Sequence, residues 1–241
     1  QTKEKIKKKY LTKRKGWWNF LYATDIDQDG QTDLLVGNLG KNSRLQASLK
    51  KPVKMYVDDF DENGRIEQIL TYHLQDREVL FADKREIEKQ LPYVKKEFTY
   101  AKDFSEADFR SIFGDGKIDK AAEFSVDFME NAWLKNKGDG SFQLEILPAE
   151  WQHTSFHAAA QISQNQWLLG GNFFDCNIQM GQYDADYGSV LQLGKDKRLL
   201  KQRVGNLQIQ GQIRGIYPIT IQGKKAYILA KNNDFLQILT F

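Results

Sequence analysis

The chain is 241 residues long, 41% hydrophobic and 28% charged, with a net charge of +3 and only four prolines. That length can bury a proper core and suits one large domain or two small ones, while the composition argues against long disordered stretches. No window approaches the roughly 18 apolar residues of a membrane-spanning helix.

The first sixteen residues carry the charge asymmetry. Lys3, Lys5, Lys7, Lys8, Lys9, Lys13, Arg14 and Lys15 stand against Glu4, a balance of +7 that leaves −4 for the other 225 residues. Such a run can grip nucleic acid or an acidic surface. A solvated leader over 1–15, or an edge strand whose lysines block edge-to-edge pairing, is the simpler reading, and no nucleic-acid partner is expected. The chain opens at Gln1 without an initiator Met or an apolar signal segment, which suits a processed form or a piece of something longer.

From Phe20 onward, short runs rich in β-branched and aromatic residues predict strands. The first pair, Phe20–Thr24 and Thr32–Gly37, flanks Asp25-Ile26-Asp27-Gln28-Asp29-Gly30-Gln31-Thr32-Asp33. Asp25, Asp27, Asp29 and Asp33 take positions 1, 3, 5 and 9 of that loop. Gly30 follows at position 6, where a tight turn needs positive φ, and Gln31 at position 7 offers a backbone carbonyl. Calcium takes roughly six to eight hard oxygen ligands, and short carboxylates at alternate positions converge as the backbone curls. An EF-hand starts the same way, but it needs flanking helices and a bidentate Glu at position 12, where Val36 stands.

The next pair, Val53–Val57 and Ile66–His73, flanks a second such loop, in which Asp59, Asp61, Asn63 and Glu67 take the same four positions. Arg65 is its position 7 and Leu70 its position 12. Acidic hairpin turns without metal are the competing reading, but the crowded carboxylates would repel one another without a cation. After Glu78–Ala82, residues 83–113 have helical spacing (Ile87, Leu91 and Val94 on one face, then Phe104, Phe109, Ile112 and Phe113), with a break at Pro92. This predicts a helical insertion. Asp115-Gly116-Lys117-Ile118-Asp119 imitates half a calcium loop, but Ser111 and Phe113 stand where its first ligands belong, so a turn leaving the insertion is expected.

The remaining predicted strands are Glu123–Phe128, Ala132–Asn136, Phe142–Leu147, His157–Ile162, Trp167–Gly171, Ser189–Leu193, Leu199–Arg203, Ile213–Tyr217, Lys225–Ala230 and Leu236–Thr240. Four of them between 158 and 203 form one set, and the last three begin another. Recurring four-strand sets point to propeller blades, with a sandwich as the other all-β answer. The expected fold is all-β, a partial β-propeller of three to four blades over 16–241. Three or so blades do not close a ring, so the rest of a longer chain or a partner chain would complete it.

Residues Phe20 through Asn38 resemble an FG-GAP/VCBS repeat of the integrin-α-like β-propellers. Gly37-Asn38-Leu39-Gly40-Lys41-Asn42-Ser43, Ile69-Leu70-Thr71-Tyr72, Gln90-Leu91-Pro92 and Gly181-Gln182-Tyr183-Asp184-Ala185-Asp186-Tyr187-Gly188 resemble bacterial multi-repeat proteins, common in Bacteroidota, that also carry ASPIC/UnbV domains. The likeness covers most of 16–241 loosely, and the two acidic loops are its specific part. It implies calcium at the blade edge, held by Asp25, Asp27, Asp29, Asp33, Asp59, Asp61, Asn63 and Glu67. The corresponding turns at Ile162-Ser163-Gln164-Asn165-Gln166 and Ile221-Gln222-Gly223-Lys224 lack carboxylates, and no metal is expected there.

Other chemistry is thinly represented. There is no Gly-rich phosphate loop, no His-Glu-x-x-His and no Gly-x-Ser-x-Gly. His73, His153 and His157 are scattered, Cys176 beside Phe173 and Phe174 suits packing, and the five tryptophans suit a core better than a sugar platform. For Asp184 and Asp186, in the resembling motif, two readings stay open: a functional role, or a structural one tying a loop to backbone amides. The expected function is a calcium-stabilised binding or scaffold module on a bacterial cell surface, contacting protein or glycan. Millimolar extracellular calcium fills even weak loops, which favours an exported location, extracellular or at the outer membrane. The alternatives are a polysaccharide-degrading propeller enzyme, which needs a pocket grouping His73 or His157 with Asp184 or Asp186, and a subunit of an outer-membrane assembly.

Overall fold

The structure is a computed structural model that describes residues 10–177, 180–202 and 208–240. Most of the lysine-rich leader, residues 1–9, and Arg203 at the end of an expected strand lie outside the described residues. The chain divides into two compact units, one holding Trp17–Arg44 and Met129–Phe241, the other Leu45–Phe128 with Arg14–Gly16.

The first unit contains three antiparallel sheets. One is built from β1 (Phe20–Thr24), β2 (Asp33–Gly37), β7 (Ala132–Asn136) and β8 (Phe142–Ile146), side by side in that order. The second runs β9 (Phe156–Ser163), β10 (Gln166–Gly171), β11 (Ser189–Leu193) and β12 (Leu199–Gln202), each paired with the next. The third has three strands, β13 (Ile213–Ile221), β14 (Lys224–Lys231) and β15 (Gln237–Thr240). In each sheet the strands lie side by side in chain order, although β2 and β7 are separated by the second unit and β10 and β11 by residues 172–188. Gln222 (φ 49°) and Gly223 (φ 76°) form the two-residue turn between β13 and β14, where positive φ matches the twist of the strands.

These strands form because apolar residues alternate along them and are buried on packing. Ile26, Leu35, Trp133, Trp151, Trp167, Leu169 and Leu191 share one core; Ala160, Leu168, Val190, Ile213, Tyr227 and Leu229 share another. The first strands of the three sheets lie together, with β9 touching both β1 and β13. Gln161 on β9 fastens them: its N–H donates to the Tyr22 hydroxyl (3.1 Å), and its carbonyl accepts from the Tyr227 hydroxyl (2.9 Å). Gly37, closing β2, is required there because a Cβ would come within 2.5 Å of the Phe156 carbonyl oxygen.

The second unit interrupts the first sheet between β2 and β7. Its sheet has the order β5-β4-β3-β6, from β3 (Val53–Asp58), β4 (Glu67–Leu74), β5 (Arg77–Leu80) and β6 (Ala122–Val126). The last strand therefore joins beside β3 rather than following β5, a topology the strand pattern alone does not reveal. Between β5 and β6 the helical insertion resolves into α1 (Lys84–Gln90), α2 (Tyr93–Glu97), α3 (Ala101–Glu106), α4 (Phe109–Phe113) and α5 (Asp115–Ile118). Pro92 parts α1 from α2, as expected. The Asp83 carboxylate caps α1 by accepting from Glu86 N–H (2.9 Å), and Asp108 caps α4 through Ser111 N–H (2.7 Å). The stretch expected to be a turn leaving the insertion is instead the single helical turn α5, because Gly114 (φ 80°) ends α4 and lets the chain start again. Ile87, Leu91, Val94, Phe104, Phe109, Ile112, Phe113 and Ile118 pack from these helices onto Tyr56, Phe60 and Ile69.

Candidate metal centres in two hairpin loops

The two acidic loops are local copies of one another. Each joins an antiparallel hairpin, with Thr24 opposite Asp33 in the first and Asp58 opposite Glu67 in the second. In the first, the Asp25 carboxylate accepts from Asp29 N–H (3.1 Å) and Gly30 N–H (2.9 Å). In the second, Asp59 accepts from Asn63 N–H (2.9 Å) and Gly64 N–H (2.7 Å). The position-5 side chains then accept from position 7: Asp29 from Gln31 N–H (2.9 Å), Asn63 from Arg65 N–H (2.8 Å). The position-9 carboxylates reach back to position 2, Asp33 accepting from Ile26 N–H (3.1 Å) and Glu67 from Phe60 N–H (2.9 Å). Even the strained backbone repeats, with φ 59° at both Gln28 and Glu62 and φ near 85° at Gly30 and Gly64.

This folding gathers the carboxylates. One oxygen from each of Asp25, Asp27 and Asp29 lies within 4.8 Å of the others, and the same holds for Asp59, Asp61 and Glu67. Both clusters could hold a metal ion. The position-3 side chains carry the sharper observation: Oδ1 of Asp27 and Oδ1 of Asp61 are both buried without a hydrogen-bond partner. A buried anionic oxygen left unpaired is costly, and a cation at the centre of the loop would satisfy it. A donor set of carboxylates and an amide is hard, which suits calcium or magnesium over softer metals.

Asp33 stands apart from the first cluster. It is fully buried, and its Oδ1 accepts from Asn136 N–H (2.8 Å), at the end of β7. Burial pushes its carboxyl above the usual range, although the Asn136 and Ile26 amides pull the other way. Lys135, beside Asn136, places its ammonium on Asp27 Oδ2, and that bond raises the Lys135 pKa. Lys197 donates to the Asp27 carbonyl (2.8 Å). These partners enter from distant parts of the chain, so loop spacing could not reveal them. In the second loop Lys117 of α5 donates to the Phe60 carbonyl (2.6 Å).

Among the described residues, the groups of three or more Asp, Glu, His or Cys side chains close enough to share a metal ion are those of the two loops. Asp186 is buried and accepts from the Ser189 hydroxyl (3.0 Å), while its own N–H donates to Asn172 (3.0 Å), so it ties its loop to its surroundings. Asp184 is exposed. Among the described residues no hydrogen bond or ion pair joins His157 to either aspartate, and His73 meets the Pro52 carbonyl in the other unit. Cys176 is half-buried, its thiol donates to the Phe173 carbonyl (3.3 Å), and burial raises its pKa, which opposes nucleophilic use. Trp133, Trp151 and Trp167 are core, and Trp17 and Trp18 are partly exposed. No described helix is long and apolar enough to cross a membrane.

His157 is packed near Phe173, and burial, helped by Arg214, lowers its pKa to about 4. The unfolded chain therefore binds a proton that the fold excludes, and stability falls as pH drops from about 6.5 toward 4. With allowance for partial solvent screening, the loss is about 2 kcal/mol. Urea midpoints at pH 7 and pH 4.5 should converge in a His157→Phe variant relative to the parent; an equal acid loss in both refutes the assignment.

Compared with known proteins, the chain matches no protein-family model and no curated protein.

Proposed function

We propose that the chain is a calcium-stabilised β-propeller segment of the FG-GAP/VCBS type, serving as a binding or scaffold module at a bacterial cell surface. The single observation that carries the calcium reading is the paired orphan: two loops of the same hydrogen-bonding design each leave the position-3 carboxylate oxygen buried and unpaired. Calcium fits because each loop offers several oxygen donors on a curled backbone. The propeller reading is supported by three small antiparallel sheets in one unit with their first strands together, an arrangement in which each sheet would be one blade. Binding is proposed rather than catalysis because, among the described residues, no hydrogen bond or ion pair joins His73, His153 or His157 to Asp184 or Asp186.

The ligand class proposed is a protein or a glycan, and the ions hold the hairpins that present the loops. Calorimetric titration of the metal-free protein with calcium should fill two sites, and glycan-array and protein-binding signals should require those sites to be filled. Absence of calcium heat at both loops would remove the metal from the proposal. Equal ligand binding with and without calcium would remove its role in presentation.

A further inference from the structure

Asp27 and Asp61 hold the same place in two loops of the same design, yet their surroundings differ. Asp27 is 2% exposed, and its two oxygens have different fates: Oδ2 takes the Lys135 ammonium, while Oδ1 has no partner. Among the described residues no ion pair or hydrogen bond reaches the side chain of Asp61. The lysine that does approach the second loop, Lys117, is spent on the Phe60 carbonyl and lies over the Tyr93 ring, 5.6 Å from its centre.

Lys135 is also held in place. Its neighbour Asn136 donates from its backbone to Asp33 (2.8 Å) and from its side chain to the Thr32 carbonyl (3.0 Å). Its ammonium lies 5.6 Å from the centre of the Trp133 ring, a cation–π arrangement. A lysine so anchored is a fixed positive charge on a prospective ligand, not a side chain that happens to swing past.

We infer that Lys135 sets the cation affinity of the first loop, weakening it while holding the metal-free loop together. This rests on the calcium reading of the loops. At positions 1, 3, 5 and 9 the first loop has one more carboxylate than the second, Asp29 against Asn63, and by the charge of those positions alone it would be the tighter site. A fixed ammonium on Asp27 cancels that advantage, because it repels the incoming dication and occupies one of the two oxygens Asp27 could offer. Without the ion the same ammonium offsets the repulsion among Asp25, Asp27 and Asp29. The loop is thereby tuned to keep its shape when calcium is scarce and to release the ion more readily than its carboxylate count implies.

The test uses the full chain with the second loop disabled by Asp61→Ala, so that calcium heat reports the first loop. Adding Lys135→Met should tighten calcium binding about tenfold, the scale of repulsion between a single and a double charge a few ångströms apart in a water-like medium. The same substitution should lower the melting temperature of the calcium-free protein. Lys135→Arg, which keeps the charge, should leave affinity near that of the parent and guards against a packing artefact at Trp133. Unchanged or weaker binding in the Met variant overturns the inference while leaving the calcium reading intact. If the Asp61→Ala protein binds no calcium with either residue at 135, the calcium reading of this loop fails, and the inference fails with it.

Discussion

Chelation with EDTA is expected to lower the melting temperature of the calcium-loaded protein by about 5–10 °C, and excess calcium to restore it. An ion bound only by the native state at a hundred times its dissociation constant contributes about 2.7 kcal/mol. For a protein of this size each kcal/mol is worth about 2–4 °C. The loss should divide between the units, because the first loop belongs to one and the second to the other. Asp27→Ala should therefore reproduce the share of the first unit and Asp61→Ala that of the second, each read by differential scanning calorimetry with and without EDTA. A melting temperature indifferent to EDTA would show that neither loop holds a stabilising ion, whatever its geometry.

The second large effect needs no metal. Asp33→Ala is expected to cost about 3–5 kcal/mol, since it removes a fully buried charged acceptor from one buried and one part-buried backbone amide. One amide belongs to Ile26 in the loop and the other to Asn136 at the end of β7, so the carboxylate staples the first hairpin to the strand that arrives after the inserted unit. Asp33→Asn, which keeps one acceptor, should cost less. Urea denaturation in EDTA would isolate this contribution from any ion. A loss under 1 kcal/mol for the alanine variant would mean that the two amides find other acceptors.

The strands were legible because alternation and turn residues are local signals, and every expected strand has an observed counterpart within a residue or two, apart from the longer β13. The loops were legible for the same reason: positions 1, 3, 5, 6 and 9 lie within nine residues and share one hairpin. Long-range information was not. Nothing around Asp27 announces Lys135, which is 108 positions away, and nothing around Asp33 announces Asn136. The extent of the insertion was hidden similarly. The helical spacing of 83–113 marks only its middle, whereas its strands read like any others, and β6 reveals its place only by pairing with β3. Pattern shows which face of an element is buried, but not which distant strand lies beside it.

The interruption of the first sheet has a consequence for how the chain comes together. β2 cannot complete its sheet until β7 arrives, since Leu35 pairs with Trp133 and Val36 with Ala132. During synthesis the β1–β2 hairpin must therefore wait, one apolar edge open, while some ninety residues are made; long-range strand pairing of this kind is slow and exposed to aggregation. The inserted unit carries its own core and can form in that interval. The gap it leaves in its host is already narrow, because Gly40 N–H donates to the Met129 carbonyl at 2.7 Å on either side of the insertion. An ion taken up by the first loop before β7 is made would hold the waiting hairpin in register, acting on the rate of assembly as well as on the finished fold.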